Sequence, residues 1–173
     1  MQDNEAPQSL FFWTLNSHTP YDSPTKVVQN WEELEDPNLD LEETHHQNIN
    51  REEKYFQSAK YQLEFISDFI EKHDNDNALY ILFGDHQPPF ITKEKHGLET
   101  PIHVIAKNED FIKTFYTHGF SKGISPQLSD IAVLKHEGFY SLFMKALNKN
   151  YGTHPDIELP YLPNGVEFQP DDQ

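Results

Sequence analysis

Ala78-Leu79-Tyr80-Ile81-Leu82-Phe83-Gly84-Asp85-His86-Gln87-Pro88-Pro89 is the stretch on which the reading of the fold turns. The unbroken apolar run from Leu79 to Phe83 reads as a strand buried on both faces, and Gly84 lets the backbone turn at its carboxyl end. Ligands of open α/β sheets sit beyond the carboxyl ends of the strands. Asp85 and His86 therefore stand where a parallel sheet keeps its chemistry, and carboxylate and imidazole both ligate divalent cations. Pro88 and Pro89 cannot donate backbone hydrogen bonds, so the chain must leave the sheet there and hold a fixed loop. Asp-His alone is a common pair, and a turn carboxylate beside an ordinary loop histidine is the plain alternative. The buried strand before the pair and the double proline after it favour pre-positioned metal ligands.

Working outward, Ser9 to Leu15 (Ser-Leu-Phe-Phe-Trp-Thr-Leu) reads as another buried strand, feeding the loop Asn16-Ser17-His18-Thr19-Pro20-Tyr21. A polar, acidic region over 22–50 follows and reads as loop with a turn of helix. From Arg51 to His73, the residues Tyr55, Phe56, Ala59, Leu63, Ile66 and Ile70 recur at three- and four-residue steps. That spacing places them on one face of a long helix. Asn48 or Asn50 caps its start, and Asp74-Asn75-Asp76-Asn77 stops it. Beyond the Asp85–His86 loop come a short strand, Ile102 to Ala106, and a helix from Glu109 to Thr117 ended by His118-Gly119. A last helix spans Ser129 to Asn148, its apolar face interrupted by Gly138. The stretch 152–173 is rich in proline and reads as an extended wrap that frays at its end. Alternating strands and helices over 1–173 predict a single α/β domain, a mixed sheet flanked by helices on both faces.

Composition limits the partners. The chain of 173 residues carries a net charge of −16, which repels nucleic acid and anionic membrane surfaces. Much of the charge is local: Glu32, Glu33, Glu35, Asp36, Asp40, Glu42 and Glu43 fall in one stretch, read as a solvated loop rather than a calcium site. The absence of cysteine excludes disulfides, thiolate metal sites and a cysteine nucleophile. No signal peptide and no apolar run of bilayer length is visible, so the chain as it stands is expected to be soluble.

Three stretches, in this order, resemble one family. Leu15-Asn16-Ser17-His18-Thr19-Pro20-Tyr21 resembles the Ser-His-x-Pro-Phe/Tyr loop of the alkaline phosphatase/sulfatase superfamily, in its sulfatase-like, lipoteichoic acid synthase-like branch. Gly84-Asp85-His86-Gln87-Pro88-Pro89 is similar to the late metal-ligand motif of that branch. Thr100-Pro101-Ile102-His103-Val104-Ile105-Ala106 resembles the strand that follows it. The resemblance covers 9–147 and corresponds to the C-terminal portion of an alkaline phosphatase-like domain. It implies a membrane-anchored, extracytoplasmic parent enzyme that hydrolyses or transfers a phosphate or sulfate ester with one or two divalent metals. Zn or Mn would be favoured, with Mg or Ca as alternatives, and any membrane contact would come only through an upstream anchor. Carried over by position, Asp85 and His86 would ligate the metal, while His18 would bind the transferring group or a second metal. In that chemistry the metal polarises the anionic oxygens and lowers the pKa of a nucleophilic hydroxyl, and histidines stabilise the developing charge.

The family's nucleophile, a Thr or Ser at a helix start, lies well before the histidine loop, and only 17 residues precede His18. The expectation is therefore the C-terminal part of a longer enzyme, inactive by itself, rather than a remnant that has lost catalysis. Gln87 stands where many relatives carry Gly, and either hydrogen-bonds substrate or caps the loop. His103, inside an apolar strand, is a core residue or a wall of the site. His45-His46 and Lys93, Lys95 and His96 read as solvated surface. Ser17 and Ser23 lack a neighbouring base, which argues against a Ser-His-Asp hydrolase. The rival reading is a non-catalytic α/β binding or structural module, in which the motif residues only satisfy turns.

Overall fold

A computed structural model describes residues 8–21, 30–38, 50–75, 77–93, 97–125 and 134–166. The chain divides into two compact units, Met1–Lys72 with Pro88–His96, and His73–Gln87 with Gly97–Gln173. The architecture is mixed α and β. Among the described residues it has three α-helices, a short 3₁₀ turn at Trp31–Glu35, and one sheet of two antiparallel strands. Of the acidic stretch 22–50, only 30–38 and Asn50 fall within the described residues.

In the first unit, helix α1 (Arg51–His73) starts where the sequence places it. The Asn50 side chain accepts the Glu53 N–H at 2.9 Å, and Glu52 and Glu53 sit at the positive end of the helix dipole. Against α1 lies the N-terminal segment, where Phe12 meets Phe69 edge-on at 6.3 Å between ring centroids. The expected buried strand over 9–15 is not formed: the segment is irregular and its side chains face solvent, Leu10 being 73%, Trp13 78% and Leu15 75% exposed. A strand needs a neighbour for its backbone groups, and among the described residues none is paired with it. Phe56 and Leu63 of α1 are likewise exposed.

The second unit is built on β1 (Leu79–Phe83) and β2 (Ile102–Ala106), paired from Leu79 opposite Ala106 to Phe83 opposite Ile102. The expected parallel setting is corrected here. A parallel partner requires a crossover, usually a helix, whereas the described part of the connection from β1 to β2 contains no helix and several prolines. Burial on both faces is corrected as well, since β1 is half-buried and Phe83 is 50% exposed. By alternation Phe83 shares the face of Leu79, so its exposure belongs to the strand's end and not to an uncovered face.

Leu79, Val104 and Ala106 point to that covered face, against α2 (Glu109–Tyr116) and α3 (His136–Tyr151). Asn108 caps α2 by accepting the Phe111 N–H at 3.0 Å, and Gly119 (φ +88) turns the chain beyond it. The centre of the core is Phe111, Phe115, Leu142 and Ala146, with Phe115 stacked on Phe139 and edge-on to Phe111. Burying each of the larger side chains contributes roughly 1.5–3 kcal/mol. Helix α3 begins at His136, later than the expected Ser129; residues 129–133 lie outside the described set.

Gly138 has a packing reason. A Cβ there would lie 2.7 Å from the Pro163 carbonyl oxygen, so the tail crosses directly over the first turn of α3. Ser141 holds it: the Leu162 N–H donates to Ser141 Oγ at 2.9 Å, and Lys135 Nζ donates to Asn164 Oδ1 at 2.8 Å. Leu162, Pro163 and Asn164 of the tail thus lie against the start of α3.

Candidate metal loop

β1 releases the Asp85–His86 pair into a turn fastened at both ends to the residues that lead into β2. Gly84 N–H donates to the Pro101 carbonyl at 3.1 Å, and Thr100 Oγ1 donates to the Gly84 carbonyl at 2.7 Å. Beyond the pair, the Gln87 amide donates to the Glu99 carbonyl. The approach is close: a Cβ on Gly84 would lie 3.2 Å from Thr100 Cβ, so Thr100 would have to give by a few tenths of an ångström. The turn is thus fixed by contacts with a segment twelve or more residues away in sequence.

Within the turn, the lone pairs are apportioned. Asp85 Oδ1 accepts the His86 backbone N–H at 2.9 Å, leaving Oδ2 uncommitted. His86 Nδ1 lies 2.8 Å from the Gln87 carbonyl oxygen, which can only accept, so Nδ1 carries the proton and Nε2 presents a lone pair in the neutral ring. That lone-pair nitrogen stands 3.7 Å from Asp85 Oδ2. Two donors at this separation, each ~2.1 Å from a common ion, subtend about 120° at the ion, near a tetrahedral opening. The Nδ1–H to carbonyl bond is also the usual orienting bond of a metal-bound histidine. Both side chains are exposed to solvent. Asp85 and His86 thus fit two adjacent positions of a divalent cation. Among the described residues no group of three or more His, Cys, Asp or Glu is assembled to complete the coordination.

His18 belongs to the first unit, in a turn closed by His18 N–H to Leu15 O at 2.9 Å and Tyr21 N–H to His18 O at 2.8 Å. Its Nδ1 lies 2.8 Å from the Thr19 carbonyl oxygen. That oxygen too can only accept, so Nδ1 holds the proton and Nε2 carries the lone pair in the neutral ring. The peptide before Pro20 is cis, and Tyr21 adopts φ +67. A left-handed residue with a Cβ costs on the order of 1–3 kcal/mol and persists only where its surroundings enforce it. Here Tyr21 is 1% exposed, its ring meets Tyr55 edge-on at 5.5 Å, and its hydroxyl donates to the Pro89 carbonyl at 2.8 Å. Burial, and then the neighbouring Tyr21, push the Tyr55 phenol above its ordinary pKa. Ser58 Oγ donates to the Asn16 carbonyl and fastens the loop to α1.

Gln87 serves the turn through Glu99. His103 is half-buried in β2, opposite Leu82 on the sheet face turned away from Leu79 and Val104, and lines a cavity of about 90 Å³ with Phe120 and Lys122. His45 and His46 lie outside the described residues. Two residues to which the sequence assigned no role bear on the Asp85–His86 turn. Thr100 is one. His136, at the start of α3, is the other, with Nε2 3.3 Å from Thr100 Oγ1. Their contacts are not legible in sequence, since each depends on an approach between distant segments.

No family model, no curated protein and no solved structure matches this chain. No helix among the described residues is long and apolar enough to cross a membrane.

Proposed function

We propose that this chain is the metal-loop portion of a sulfatase- or phosphatase-like enzyme that hydrolyses or transfers a phosphate or sulfate ester. The observation that carries the reading is the shared arrangement of the two loop histidines. His18 and His86 each commit Nδ1–H to the carbonyl of the following residue and present Nε2, and beside His86 the free Asp85 oxygen lies at a ligand-pair distance. On this reading Asp85 Oδ2 and His86 Nε2 hold a divalent cation, Zn or Mn by preference, which when bound polarises the anionic oxygens of the ester. His18 Nε2 binds or neutralises the transferring group. Tyr21 holds the His18 loop through its bond to Pro89. The attacking hydroxyl comes from outside these residues, in keeping with the solvent-exposed apolar side chains of Leu10–Leu15. The larger domain is alkaline phosphatase-like, with an extracytoplasmic parent protein.

The test is metal titration followed by melting temperature. An ion bound only by the folded state adds RT ln(1 + [L]/Kd), about 2.7 kcal/mol at a hundredfold excess over Kd. Zn²⁺ or Mn²⁺ should raise the midpoint of the wild-type chain and should not raise that of Asp85→Asn or His86→Ala. An identical rise in both variants would place the ion elsewhere and favour a structural module. A nitrophenyl phosphate assay gives the second readout: turnover abolished by His86→Ala would put the nucleophile within this chain.

A further inference from the structure

We infer that His136 and Thr100 form a clasp that sets the direction in which β1 releases the Asp85–His86 pair, making both of them positioning residues for the metal loop. Its bearing on metal binding rests on Asp85 and His86 being ligands; the clasp itself does not. Thr100 has one hydroxyl hydrogen, and at 2.7 Å it is given to the Gly84 carbonyl. The contact at 3.3 Å from Thr100 Oγ1 to His136 Nε2 must therefore run the other way, with Nε2–H donating to the hydroxyl oxygen. His136 thus holds the tautomer opposite to that of His18 and His86. Its ring also lies 6.2 Å from that of Phe83, the last residue of β1. The imidazole accordingly touches both the strand end and the hydroxyl that fastens the following glycine.

His136 is held in turn. It is the first residue of α3, and that turn is fixed from outside by the tail, through Pro163 over Gly138 and Lys135 to Asn164. A continuous line of contacts runs from the tail to α3, to His136, to Thr100 and to Gly84. Gly84 N–H to Pro101 and Gln87 to Glu99 fasten the rest of the turn. The exposed pair between these fastenings makes few contacts of its own, so its geometry depends on them. Residues that orient metal ligands in this way typically change affinity by 10–100-fold when removed.

The experiment uses the full chain and two readouts. Amide hydrogen exchange at Asp85, His86 and Gln87 is measured without metal, and Zn²⁺ affinity is measured by titration. Thr100→Val removes the hydroxyl, while His136→Phe keeps a ring against Phe83 and removes the donor. Both should accelerate loop exchange about tenfold and weaken Zn²⁺ binding about tenfold or more, with the β1 amides unchanged. Thr100→Ser restores the hydroxyl and should stay near wild type. Nitrogen chemical shifts should show the neutral His136 ring protonated on Nε2. Wild-type loop exchange in both Thr100→Val and His136→Phe, or a His136 proton resident on Nδ1, overturns the clasp. A wild-type chain that binds no Zn²⁺ refutes the metal reading instead, and the exchange data then decide the clasp alone.

Discussion

Replacing Gly138 by alanine sets two opposing effects against each other in one turn of helix. An added Cβ would lie 2.7 Å from the Pro163 carbonyl oxygen and 3.0 and 3.1 Å from its carbonyl carbon and Cα. Ordinary carbon contacts lie near 3.5 Å or more, so the tail must retreat by roughly 0.5–0.8 Å. That retreat strains the bonds from Leu162 N–H to Ser141 and from Lys135 to Asn164, both at normal length now. Overpacking of this kind costs about 1–3 kcal/mol. Against it, alanine in a helix is favoured over glycine by roughly 0.5–1 kcal/mol. The balance is a loss of about 1 kcal/mol in the full chain. In a chain ending at Tyr161 the obstacle is absent, and the same substitution should stabilise by up to about 1 kcal/mol. Urea denaturation of the four proteins measures the change of sign as a shift of midpoint in opposite directions. If Gly138→Ala stabilises the full chain as much as the shortened one, the tail does not lie on α3 and the reasoning fails.

Leu142→Ala, at the fully buried centre of the second unit, should cost about 2–5 kcal/mol in denaturation, whereas Tyr140→Ala on the exposed side of α3 should cost far less. Tyr21→Phe removes the hydroxyl bond to Pro89 and should lower stability by about 1 kcal/mol, with the loss confined to hydrogen exchange in the first unit. The exposed Glu158 carboxyl is held below its ordinary pKa by a hydrogen bond from Lys145 and by that ammonium's charge. A lowered folded pKa stabilises above the unfolded value and is lost as pH falls through the folded one. The tail should therefore loosen on the acid side of the ordinary glutamate range, and Glu158→Gln should remove that dependence, as followed by exchange at Ile157 and Leu159.

Local regularities were legible because they depend on neighbours in sequence. The long helix follows from three- and four-residue spacing with Asn50 as its cap, and β1 and β2 follow from short apolar runs bounded by Gly84, Thr100 and Pro101. The pairing of these strands was not legible. Five apolar residues in a row suit a parallel interior strand as well as an antiparallel one half-covered by helices, and the run at Leu10–Leu15 shows that apolar sequence without a pairing partner makes no strand.

Sequence alone determined which atoms are available for chemistry: a carboxylate and an imidazole side by side after a strand, a second histidine in a proline turn, and no thiol anywhere. The direction those atoms face was decided by tertiary structure. Side-chain bonds between segments far apart in the chain, Thr100 to Gly84, Gln87 to Glu99 and Tyr21 to Pro89, set the loops on which the two histidines stand. The reason is that a hydrogen bond is directional and reaches only about 3 Å, so which lone pair is left free depends on what the fold brings within that distance.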